Sequence, residues 1–141
     1  MLISLKHIYT MLEDINRKLD DESKRDTLRK YLKEPIFGKV LRQVLVYLTG
    51  ESWQFSIKRI NFCMYFEDKT AAEYQNSDGI FDMLEYLNSK SDDISEDEKA
   101  FLEKISSSDP ETVEVVTRIL NKEAGCGLTN DVIESILLEE A

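Results

Sequence analysis

Residues 121 to 137, NKEAGCGLTNDVIESIL, set Gly125 and Gly127 on either side of Cys126 and follow them with Thr129, Asn130 and Asp131. A helix start leaves four backbone N–H groups without intrahelical partners, and the helix dipole adds partial positive charge there. Glycines beside such an end let an anion reach the backbone with no Cβ in the way. The chemistry on offer is therefore phosphate binding. The same residues also fit a purely local role, in which Gly125 or Gly127 ends one helix in left-handed geometry and Thr129 or Asn130 caps the next. Asp131 favours the local role, because a first-turn carboxylate occupies the positive end itself. A second corner, LTGESWQFSIKR, repeats the arrangement, with Gly50 at a helix end and polar residues after it. Lys58 and Arg59 stand just beyond as candidate phosphate contacts, and Trp53 and Phe55 between them are either core residues or platforms for bases.

Signatures of catalysis are missing. The one histidine, His7, lies within an apolar-striped helix, where packing or surface exposure explains it better than base catalysis. No phosphate-cradling Gly-x-x-x-x-Gly-Lys loop, no His-Glu-x-x-His and no calcium-loop spacing occurs. Asp92 and Asp93 sit in an acidic run that solvation accounts for. Cys63 and Cys126 lie far apart and form no zinc-type cluster, so reduced thiols are expected, as in a cytoplasm, and no metal site. Lys6 and His7 interrupt the apolar run near the start, so a signal peptide is not expected, and no stretch is long and apolar enough for a transmembrane helix.

The elements that must position these residues read as helical. Leu2, Leu5, Ile8, Leu12, Ile15 and Leu19 recur at steps of three and four, which marks one helix stripe. A second helix carries Leu28 and Leu32 and closes at Pro35. A third runs from Pro35 with Phe37, Val40, Leu41, Val44, Leu45 and Leu48 inward. A short helix is expected over WQFSIKRI, and a loop over residues 61 to 79. Ser77 or Asp78 would cap the next helix, with Ile80, Phe81, Met83, Leu84 and Leu87 buried. Ser95 and Glu98 form a capping box ahead of Phe101, Leu102 and Ile105. Asp109-Pro110 starts a helix with Val113, Val116, Ile119 and Leu120, and a last helix covers about 130 to 139. The expected fold is all-α and compact, about seven or eight helices in one domain over residues 1–141.

A net charge of −10 runs against nucleic-acid binding in general. It is unevenly spread: residues 1–60 hold 12 Lys and Arg against 8 Asp and Glu, whereas residues 61–141 hold 6 against 20. The acidic half is expected to be a solvated face. The alternative is an acidic helical module that binds a protein partner or mimics DNA in a basic cleft.

Three segments carry a family resemblance. VEVVTRILNKEAGCGLT, from Val113 to Thr129, resembles the end of the helical N-terminal DNA-binding domain of ATP-dependent DNA ligases, with the T-even phage members nearest. DMLEYL at 82–87 and QFSIKR at 54–59 resemble two further family segments, in the same order. The chain departs from the pattern at Gly125 and Glu51. The resemblance implies a domain that contacts duplex DNA flanking a nick through its phosphates, on the minor-groove side and without strong sequence preference. By resemblance the contacts fall to Gly50, Ser52, Gln54, Lys58 and Arg59 at one corner, and to Arg118, Lys122, Gly127 and Thr129 at the other. It also implies a replication or repair setting in a bacterial or phage-infected cytoplasm. Sealing a nick needs an adenylated lysine in Lys-x-Asp-Gly, and no lysine here has that setting. ATP and magnesium would therefore belong to a linked or partner catalytic domain, and this chain is expected to be no enzyme and to hold no cofactor.

Overall fold

A computed structural model describes residues 3–61, 69–89, 94–107 and 109–140. Leu2, Cys63, Asp92, Asp93 and the 62–68 part of the expected loop lie outside these. Among the described residues there are eight helices and no strand: α1 (Lys6–Arg17), α2 (Asp21–Leu32), α3 (Phe37–Thr49), α4 (Lys69–Glu73), α5 (Ser77–Asn88), α6 (Glu96–Ser106), α7 (Pro110–Asn121) and α8 (Asn130–Glu139). The fold is all-α, as expected. Helix α3 is central and packs on α1, α2, α7 and α8, while α1 also packs on α2 and α7. Helix α6 joins α7 to a second group, touching α4 and α5. The buried apolar residues of both groups form one continuous core.

Apolar spacing explains most of the elements. Ile8, Leu12 and Ile15 of α1 are buried, and Leu5 just before it as well. The stripe stops sooner than expected, because Lys18 turns to extended backbone after Arg17 and leaves Leu19 fully exposed. Helix α3 begins at Phe37 rather than at Pro35, since Pro35 and Ile36 form a turn ahead of it. It is apolar on most of its circumference, which suits a helix packed on four sides.

Caps set the boundaries. Asp20 Oδ1 accepts from Ser23 N at 2.7 Å, and Asp109 Oδ1 accepts from Thr112 N at 2.6 Å with Pro110 in the first turn. Ser95 and Glu98 form the expected reciprocal box. At α5 the cap is Asn76, not Ser77 or Asp78: its side chain accepts from Gly79 N at 3.0 Å, in a buried setting.

Two expectations are corrected. The segment 53–60 is not a helix. Trp53, Phe55 and Ile57 turn inward while Gln54, Ser56 and Lys58 are exposed, which is the period of an extended chain. The expected loop over 61–79 contains α4, a helix of 5 residues that packs on α6.

Candidate nucleic-acid interface

The Gly50 corner joins the end of α3, the extended segment after it and the end of α7. Lys122 follows α7 in left-handed geometry, φ 60°. Its ammonium donates to the carbonyl oxygens of Tyr47 at 2.5 Å, Gly50 at 2.7 Å and Trp53 at 2.7 Å. A lysine has three donors, so all are engaged. The positive charge sits where α3 ends in unpaired carbonyls, the favourable end for a cation. Burial, with nearby Lys58 adding repulsion, lowers the Lys122 pKa below its ordinary value. Gly50 is needed because Trp53 folds back over it: a Cβ there would meet Val46 O at 2.8 Å and Trp53 Cδ1 at 2.9 Å. Trp53 packs edge-on against the Tyr47 ring with centroids 4.5 Å apart, so it is a core-facing residue rather than an open stacking platform. Phe55 is buried as well.

The segment is then moored to α7. Asn121 Nδ2 donates to Lys58 O at 2.6 Å, and Lys58 Nζ donates to Leu120 O at 3.2 Å. Gln54 N donates to Asn88 Oδ1, and the Gln54 side chain donates to Glu51 O. Ser52, Gln54, Lys58 and Arg59 are exposed. No helix starts at this corner, so the helix-start chemistry expected of it is absent.

The corner at Gly125 and Gly127 is closed by its own side chains. Gly125 and Gly127 have φ of 66° and 84°, the left-handed geometry of the local role. A Cβ on Gly125 would lie 3.0 Å from the Arg118 guanidinium carbon, and one on Gly127 would lie 2.5 Å from Lys24 Cε. The glycines therefore admit protein side chains. Arg118 donates to Glu13 at 2.8 Å, Glu114 at 3.0 Å and Ala124 O at 3.3 Å, and lies 5.3 Å from the Tyr9 ring centre. Burial opposes its charge, but the two carboxylates outweigh it and raise its pKa. Thr129 Oγ1 accepts from Val132 N at 3.3 Å as the cap of α8, and Asn130 Nδ2 donates to Lys122 O at 2.8 Å. Cys126 is a free, buried thiol whose pKa is pushed up by burial.

Arg118, Lys122, Gly127 and Thr129, the residues assigned to phosphate by resemblance, thus all have roles within the fold. The side-chain donors of Arg118 and Lys122 are engaged, Lys24 fills the space beside Gly127, and Thr129 caps α8. What stays open is a cleft of about 520 Å³ lined by Ser56, Ile57, Lys58, Arg59, Ile94 and Lys99. It holds three cations and no carboxylate among those residues. Among the described residues, the side chains of Arg59 and Lys99 make no hydrogen bond or ion pair. The sequence alone pointed to Lys58 and Arg59. An extended reading of 53–59 would have added Ser56, which shares the exposed face of Lys58. Nothing local signals Lys99, which α6 brings from far along the chain.

No protein-family model, characterised protein or solved structure matches the chain.

Proposed function

We propose that the protein binds duplex DNA through backbone phosphates without reading sequence, as the non-catalytic DNA-binding domain of an ATP-dependent DNA ligase or a free-standing relative of one. The observation that carries this is the exposed Lys58-Arg59 pair on a segment fixed by α7, in a cleft whose lining among the described residues holds no carboxylate, on a chain of net charge −10. A cation pair that the fold leaves open amid so much acid is a place where phosphate is welcome. The ligase-like segment QFSIKR supplies both residues. Contacts of this kind position a duplex and carry no sequence information. ATP and magnesium would act in a catalytic domain, linked or separate.

The test is fluorescence anisotropy of the full chain with nicked and intact duplex across a salt range. About three phosphate contacts give a log–log slope near −2.7, hence roughly a 40-fold loss of affinity from 50 to 200 mM salt. Lys58→Glu with Arg59→Glu should abolish binding without unfolding the chain. Unchanged affinity in that variant would sink the proposal.

A second reading has its own observation. Asp78, Asp82 and Glu85 lie along the exposed face of α5 and line an open groove of about 340 Å³ with Lys39 and Gln43. An acidic ledge of this shape suits a basic protein segment. Loss of a co-purifying basic partner on Asp78→Asn with Asp82→Asn, together with no duplex binding by the native chain, would favour it.

A further inference from the structure

Lys99 breaks a local rule. It lies in the first turns of α6, where its backbone N–H donates to Ser95 O at 3.0 Å directly behind the capping box. The helix dipole disfavours a cation at that end. Among the described residues no ion pair of Lys99 offsets this: Glu96 lies three residues before it and Glu103 four after, yet it forms a salt bridge with neither. Instead the side chain borders the cleft beside Lys58 and Arg59. Three like charges lining one concavity repel one another, and an anion between them removes that cost. A local choice that opposes stability, made where two other unneutralised cations converge, marks a binding position. Ile57 and Ile94 add apolar wall to the same cleft, and Ser56 adds a hydroxyl. Cations with an apolar flank match a phosphate ester, whose charged oxygens adjoin a carbon skeleton.

We propose that Lys99 completes a phosphate-ester site with Lys58 and Arg59, in which Ser56 donates to a phosphate oxygen and Ile57 and Ile94 pack against the attached sugar. The site takes adjoining phosphodiesters of one DNA strand, one to each cation, an occupant that rests on the duplex-binding function proposed above. Lys99 is thus a contact from α6, apart from the extended segment that carries the other two, so the strand is held from two sides.

The experiment uses the full chain with Lys99→Gln, and with Lys30→Gln as an exposed control outside the cleft. Salt titrations with nicked duplex should show the Lys99→Gln slope reduced by about 0.9, or about eightfold weaker binding at 0.1 M salt relative to the 1 M reference. The melting temperature should hold or rise, since no partner is lost. A native slope in Lys99→Gln, with the native chain binding duplex, overturns the site and leaves the DNA function standing. Absence of duplex binding by the native chain overturns both. Inorganic pyrophosphate, followed through the Lys99 and Arg59 side-chain NMR signals, separates the sources. Shifts that saturate with pyrophosphate in a chain that ignores duplex would overturn the strand as occupant and assign the cleft to free phosphate. Shifts with duplex that weak pyrophosphate binding cannot match support the strand.

Discussion

Replacing Lys122 by Met removes the ammonium that ties α7 to the end of α3 while keeping most of the side chain's length. Three hydrogen bonds from a charged donor are lost, to Tyr47, Gly50 and Trp53 carbonyls. Such bonds contribute about 1.5–3 kcal/mol each in mutational series. The site is half-buried, so water recovers part of each, and a net loss of about 3 kcal/mol follows. For a domain of this length that is a fall of roughly 12 °C in melting temperature, at about 4 °C per kcal/mol. Lys122→Arg should recover little, because a planar fork cannot aim three donors at three carbonyls around one nitrogen. Lys122→Gly loses the same clamp but relaxes the left-handed backbone, so it should be about 1 kcal/mol less damaging than Met. Thermal and urea unfolding of the three variants measure this. Melting of Lys122→Met within about 2 °C of native would refute the clamp. So would a reduced salt slope for duplex binding at unchanged stability, the signature of a phosphate contact instead.

Further outcomes follow from the packing. Tyr31 donates to Asp14 Oδ2 at 2.5 Å, and burial, then this bond, push the Tyr31 pKa up to about 12. A folded-state pKa above the unfolded value of 10 contributes stability that is complete below pH 10 and lost as pH climbs towards 12. The same bond leads the causes that lower the Asp14 pKa, so that group's contribution is present above the unfolded value of 3.8 and lost as pH falls below it. Tyr31→Phe should therefore destabilise at neutral pH by an amount that shrinks at both extremes in urea unfolding; a constant difference across the range would exclude the bond as its cause. Gly127→Ala forces a side chain into φ 84° and against Lys24, whose ammonium holds Lys18 O at 2.7 Å. It should cost about 1–2 kcal/mol with no change in the salt slope of duplex binding.

Local chemistry was legible in the sequence and distant chemistry was not. Ser95 with Glu98, Asp109 with Pro110, and Thr129 each cap within a few residues of themselves, so their roles could be read directly. The segment 53–60 was misread because its inward residues were assigned a helical period, although Trp53, Phe55 and Ile57 alternate with polar neighbours at a period of two. Asn76 was overlooked as a cap because two better-placed polar residues follow it. Among the site residues, Lys58 and Arg59 stayed open to solvent, as a charged pair in an exposed segment should. Arg118 and Lys122 did not, because what engages them lies elsewhere in the chain: Glu13 is 105 residues from Arg118, and Tyr47 O is 75 from Lys122. A charge count cannot see such partners.

Cations at helix ends are held by backbone carbonyls. Lys24 donates to Lys18 O beyond α1, Arg42 to Leu137 O and Glu140 O at the end of α8, and Lys122 to the carbonyls that close α3. Lys58 likewise reaches Leu120 O at the end of α7, yet it stays exposed and lines a small cationic cleft with Arg59 and Lys99 on a chain of net charge −10. Two electrostatic ranges then compete. At about 0.1 M salt the Debye length is near 10 Å, so a duplex at the cleft feels mainly the three cations. At about 0.01 M it reaches some 30 Å, and the whole charge of −10 repels the phosphates. Affinity for duplex should therefore pass through a maximum at intermediate ionic strength instead of rising steadily as salt is removed. Anisotropy titrations from 10 to 300 mM salt, at about half-decade steps, would show the turnover. A monotonic rise down to 10 mM would mean that duplex docks on a surface wide enough to outweigh the acidic half, and the small-cleft account of binding would have to be given up.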